Sequence, residues 1–159
     1  MGQVAFVTCI KDDYDRFWGM LEKQLEICPE ALWTEKVAGW FFWQQLYHAM
    51  YSIDFYTRPD EEPTQAPFSY EISMLAEDAP RHLSKDELLA FAARMKKRAH
   101  AYIEATNPQN MNDNNPFLSR RLGKEVTRLY TAIAMIRHCN YHLGCCDAIF
   151  RERGLPAVY

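Results

Sequence analysis

The stretch TAIAMIRHCNYHLGCC, residues 131–146, decides the fold. Counting back from His138 by threes and fours meets Met135, Ala134, Thr131 and Tyr130, and counting on from His142 meets Cys145, Cys146 and Ile149. That is the repeat of an α-helix, in which residues three and four apart share one face. His138 and His142 are themselves four apart, so at about 100° per residue they sit about 40° apart around the axis, one turn above the other. The helix is expected over residues 119–153, with Gly154 and Pro156 stopping it. A helix that turns one stripe inward has to bury it against other helices.

Three further helices are expected upstream. The first, over residues 4–27, repeats Val7, Ile10, Tyr14, Phe17, Trp18, Leu21 and Leu25, and ends at Cys28-Pro29 because the residue before a proline is pushed out of the α region. The second, over 38–57, carries Trp40, Phe41, Trp43, Gln44, Tyr47, His48, Tyr51, Ser52 and Phe55, and Pro59 closes it. The third, over 84–106, opens on Ser84 with Glu87 three residues on, a capping box in which each side chain satisfies a free backbone N–H. Residues 58–83 hold four prolines and the acidic run Asp60-Glu61-Glu62 without a sustained period, which is a long crossover at one end of the bundle with room for a short helix near Glu71 to Leu75. Asn110 to Pro116 is turn-rich. No period-two run marks a strand. The expected fold is all-α, an up-and-down four-helix bundle with a long crossover, and one domain spans residues 1–159.

Composition narrows the function. The 159 residues are 48 % hydrophobic and 25 % charged, the make-up of a folded domain. Lys plus Arg is 18 against 21 for Asp plus Glu, a net charge of −3, so the basic excess that grips nucleic acid is missing. The basic run Arg94 to Arg98 reads as a solvated helix face. No run of roughly 18 apolar residues exists to span a membrane. Val4 to Ile10 lacks the basic flank of a signal peptide, and five cysteines, an odd number, do not form a secreted disulfide framework, so a reducing cytoplasm is expected.

The histidines carry the chemistry. Two imidazoles four apart on an inward face can reach one metal ion, as they do in zinc sites, or they can be core histidines bonded to hydroxyls and backbone. His48 adds a third. It lies in the second helix with Gln44, Tyr51 and Ser52 on its face, and bundle cores build metal sites from facing helices. Cys145, two turns beyond His138, is either close to such a metal or its substrate, or an apolar filler. Cys145 and Cys146 diverge as helix neighbours and form no disulfide. His82 and His100 are expected to face solvent, and Asp54 lies too far round the helix from His48 to ligate. Trp18, Tyr47, Tyr51 and Tyr141 are either core or the mouth of the site.

Trp43-Gln44-Gln45-Leu46-Tyr47-His48-Ala49-Met50-Tyr51, followed about ninety residues later by Arg137-His138-Cys139-Asn140-Tyr141-His142-Leu143-Gly144, and the ending Phe150 to Pro156, resemble the DinB-like, or YfiT-type, family of small four-helix proteins. The resemblance implies that His48, His138 and His142 hold one divalent metal ion, commonly nickel or zinc. It also implies one of two functions. One is an enzyme, transferase-like or hydrolase-like, whose metal activates a low-molecular-weight thiol or water against a small-molecule substrate; the other is a non-catalytic, stress-induced metal- or ligand-binding bundle. The sequence carries no His-Glu-x-x-His motif, no Gly-x-Ser-x-Gly elbow and, with six glycines, no phosphate-cradling loop. Two aromatic-rich faces on a short chain suggest a homodimer.

Overall fold

The computed structural model describes residues 2–59 and 62–158, with the side chains of residues 2–6 left aside, so Asp60 and Glu61 of the acidic run lie outside the described residues. Four long helices form the frame: α1 (Gly2–Ile27), α3 (Phe42–Thr57), α5 (Lys85–Glu104) and α7 (Arg128–Glu152). Between them lie the short α2 (Glu30–Trp33), α4 (Tyr70–Ser73) and α6 (Pro116–Leu122), and a small hairpin of β1 (Lys36–Val37) and β2 (Trp40–Phe41). The fold is all-α, as its periodicity requires. No helix among the described residues is long and apolar enough to cross a membrane.

Each long helix packs on two others, α3 and α1 both lying against α5 and α7. Side-chain pairs give the directions. On α1 and α5, Glu22 meets Lys96 at 3.6 Å and Asp15 meets His100 at 2.9 Å, an antiparallel pair. On α3 and α7, Phe42 stacks on Phe150 at 5.3 Å between centroids while Ser52 meets Cys139 at 3.8 Å, again antiparallel. On α3 and α5, Tyr47 packs on Phe91 at 5.4 Å and Asp54 meets Arg98 at 3.2 Å, so these two run parallel.

Parallel neighbours cannot be joined by a tight turn, because the chain must return to the end it left. The crossover therefore does not lie across one end, as its composition alone suggests; it climbs the length of α3. Thr64 reaches Asp54 near the end of α3, Phe68 packs on Tyr47 and Trp43, Ser73 meets His48, and the Glu77 carbonyl accepts from Gln44. Finally His82 accepts from Trp43 Nε1 at 2.8 Å. This backbone becomes part of the site.

Two helix starts differ from the periodic reading. The last helix begins at Arg128, not Ser119, because Gly123 takes the left-handed conformation (φ 63°) that ends α6, and Thr127 then caps α7 by accepting from the Tyr130 N–H. Pro116 at the first turn and the Asn115 side chain start α6 instead. The second helix begins at Phe42, because Ala38 (φ 55°) and Gly39 (φ 94°) make a two-residue hairpin turn pairing Lys36 with Phe41 and Val37 with Trp40. The strands are two residues long, too short to show alternation. The Ser84–Glu87 capping box forms as expected. Trp18, Trp33, Trp43, Tyr47, Phe42 and Phe150 are fully buried in one core, and Trp33 Nε1 donates to the Leu83 carbonyl at 2.7 Å.

Candidate metal centre

Antiparallel packing of α3 on α7 sets His48 against the turn of α7 that carries His138 and His142. His138 Nε2 lies 3.0 Å from His48 Nε2. The three ring centroids are 4.5–5.0 Å apart, and one nitrogen from each ring lies within 4.8 Å of the other two. His48 and His142 are buried, and His138 is half-buried.

Each ring is held from behind through Nδ1. His48 Nδ1 meets the Ser73 carbonyl at 2.7 Å, His142 Nδ1 meets Gln45 Oε1 at 3.1 Å, and His138 Nδ1 has a longer 3.5 Å contact with the Tyr56 hydroxyl. A carbonyl only accepts, so Nδ1 of His48 carries the hydrogen and its Nε2 presents a lone pair. The same logic holds for His142 against the Gln45 amide oxygen. Outer partners of this kind orient the ring and raise the basicity of metal-ligating histidines.

Burial keeps the rings neutral. It lowers His138 to about 4 and His142 to about 3, with the neighbouring imidazoles adding to the effect on both. His48 is lowered for the same reason, against the opposing hydrogen bond to Ser73. Neutral imidazoles offer their lone pairs at pH 7 without losing protons first. Converging nitrogen donors with no carboxylate among them fit a borderline-soft divalent ion and not calcium or magnesium, which take oxygen.

The other candidates separate clearly. Asp54 is buried away from the cluster and bonded to Arg58, Arg98 and Thr64. Trp18 and Tyr47 are fully buried core residues, and Tyr51 is buried against Tyr47. Tyr141 is 67 % exposed and stands edge-on to His142 at 5.1 Å. Cys145 shares a cavity with His142 but is outside the three-histidine group. All five cysteines are free, Cys145 and Cys146 included. His82 is exposed yet accepts a hydrogen bond from Trp43; His100 is half-buried against Asp15, not solvent-facing as expected, because α1 packs over it.

Three contributors escape a reading of the sequence. Gln45 sits three residues before His48 on the same helix, a spacing that signals a shared face. Tyr56 lies two turns on from His48 along α3. The Ser73 carbonyl has no side-chain signal at all.

A family model described as the DinB superfamily matches residues 13–146, a span that contains all three histidines. No curated protein and no solved structure matches the chain.

Proposed function

The chain belongs to the DinB superfamily, and on that premise we propose that His48, His138 and His142 bind one divalent metal ion, nickel or zinc, and that the loaded site activates a small thiol or water toward a small-molecule substrate. One observation supports this most: two of the three rings have Nδ1 committed to an accepting oxygen, which leaves their Nε2 lone pairs unused, and one nitrogen from each of the three rings lies within 4.8 Å of the other two. Lone pairs so gathered repel one another until a proton or a cation lies between them. The Nε2 atoms of His138 and His48 already lie within hydrogen-bond distance, 3.0 Å apart.

When bound, the ion supplies Lewis acidity, which makes a thiol or water a stronger acid near neutral pH. The protein's own part is to supply three uncharged donors and leave the ion's charge for an anionic ligand from outside. Among the described residues no fourth His, Cys, Asp or Glu joins the group. The half-buried His138 and exposed Tyr141 face the approach. A second reading, metal binding without catalysis, is favoured by a different observation: no carboxylate or further histidine in that group is placed to act as a general base. A cytoplasmic location, which would keep the five cysteines as thiols, and a homodimer through the exposed Leu122, Tyr130 and Ile133 belong to the same proposal; light scattering at micromolar concentration checks the dimer.

The test titrates the metal-free protein with zinc and with nickel by calorimetry, beside His142→Ala, and assays conjugation of 1-chloro-2,4-dinitrobenzene with several cellular thiols, using His48→Ala as blank. His142→Ala is expected to lose tight binding and keep its helical circular dichroism. Parent-like binding by that variant overturns the triad. Tight binding with activity no higher than the blank favours the non-catalytic reading.

A further inference from the structure

Two cavities reach the imidazole cluster, one on each side of Tyr141 along α7. The smaller, about 220 Å³, is lined by Tyr56, Ala134, Arg137, His138 and Tyr141. The larger, about 500 Å³, runs toward the end of α7 past His142, Cys145 and Ile149, and is walled opposite by Trp40 of the hairpin and Leu75 after α4. Tyr141 lines both.

Their chemistry is opposite. The smaller cavity holds a guanidinium, Arg137, which also bonds the Tyr130 hydroxyl, together with the phenol of Tyr56. A planar guanidinium beside a hydroxyl suits a carboxylate. No cation lines the larger cavity, whose walls are mostly apolar and whose one charged side chain is Glu152. An anion is disfavoured there, and an uncharged apolar molecule finds area to bury.

Backbone strain singles out the larger cavity independently. Among the described residues, Ala38 (φ 55°) and Leu75 (φ 60°) are the only non-glycine positions with positive φ. Both line this cavity, from two separate segments of the chain. Side chains rarely adopt that conformation, and where they do, the strain concentrates at ligand sites. Ala38 turns the hairpin that places Trp40, and Leu75 follows the end of α4, two residues after the Ser73 carbonyl that holds His48.

We propose that the site takes two ligands at once, a small carboxylate against Arg137 and Tyr56, and a larger uncharged apolar molecule in the cavity beside His142, with the Tyr141 ring between them. The carboxylate arm rests on the metal reading above, since it places that ligand next to His138; the apolar arm does not. The two ligands then meet over the imidazole nitrogens from opposite sides of one ring.

The experiment has matching arms. Metal-free protein is titrated with the neutral fluorescent probe N-phenyl-1-naphthylamine. Ala148→Trp, which fills the larger cavity from an exposed helix position, is expected to weaken the probe by about tenfold or more, and Cys145→Phe serves if that variant misfolds. Zinc-loaded protein is titrated with 3-mercaptopropionate and with 3-mercaptopropionamide. The acid is expected to bind about tenfold tighter than the amide, and Arg137→Gln to erase the preference. Saturating 3-mercaptopropionate should leave the naphthylamine affinity unchanged. Competition between the two probes, full probe binding by both cavity-filling variants, or an acid preference that survives Arg137→Gln would each overturn the proposal. If the parent binds no zinc, the metal reading fails, and the naphthylamine arm still decides the apolar cavity.

Discussion

Replacing Asp54 with Asn tests the junction that holds the two parallel helices together. Asp54 on α3 is fully buried, and its carboxylate accepts from Arg98 of α5 at 3.2 Å, from Arg58 at 3.2 Å and from Thr64 of the crossover at 2.8 Å. Arg98 also pairs with Glu62. Asn keeps the shape but loses the charge, and its NH₂ faces a donor. Removing one partner of a buried ion pair costs about 3–5 kcal/mol, because the other charge is left without compensation. Here the two guanidiniums keep some solvent, at 11 % and 15 % exposure, and Arg98 keeps Glu62. The low end, about 3 kcal/mol, is therefore expected. At about 2–4 °C per kcal/mol for a domain of this size, Tm should fall by about 6–12 °C. Urea and thermal unfolding followed by circular dichroism at pH 7 measure it, with Arg98→Met and the double variant completing a cycle. Zinc affinity should not change, since none of the Asp54 partners touches a histidine. A loss below about 1 kcal/mol, the worth of an exposed pair, or no coupling between positions 54 and 98, would refute the reasoning.

Three shorter predictions follow from the site and the frame. Gln45→Leu removes the acceptor behind His142, and zinc affinity should drop by about 10–100-fold with the helical signal intact; unchanged affinity would show that Gln45 does not orient the ring. His138 at about 4 and His142 at about 3 lie below the unfolded histidine value of about 6.5, so the unfolded chain takes up protons first. The metal-free protein is thus expected to hold full stability above about pH 6.5 and lose it as pH falls through 6.5 toward 4. Its urea midpoint should decline from pH 7 to pH 5, and a decline of equal size in the His138→Ala/His142→Ala double variant would assign the effect elsewhere. Ser84→Ala breaks the capping box of α5 and should cost about 1 kcal/mol in urea unfolding, while leaving zinc binding untouched.

What the sequence determines by itself is local. The period of apolar residues, Pro29 behind the first helix, and Ser84 with Glu87 at the third are legible because each depends on residues within a turn or two of one another. The inward pair His138 and His142 is legible for the same reason, as is His48 on the inward face of the second helix, and the family resemblance joins the three at one ion. Gly123 followed by Thr127 was a readable break in the last helix, hidden by the strong repeat beyond it. The tertiary structure alone decides the rest. That α5 runs parallel to α3 follows from how four apolar stripes close on one core, and no short segment encodes it. That direction sends the crossover up α3 and brings the Ser73 carbonyl to His48, 25 positions away, just as helix packing brings Gln45 to His142, 97 positions away. Backbone carbonyls carry no side-chain signature, and contacts over such separations form only when the core does. The chain's local pattern sets which imidazoles face inward; the packing sets which of their nitrogens is left to bind.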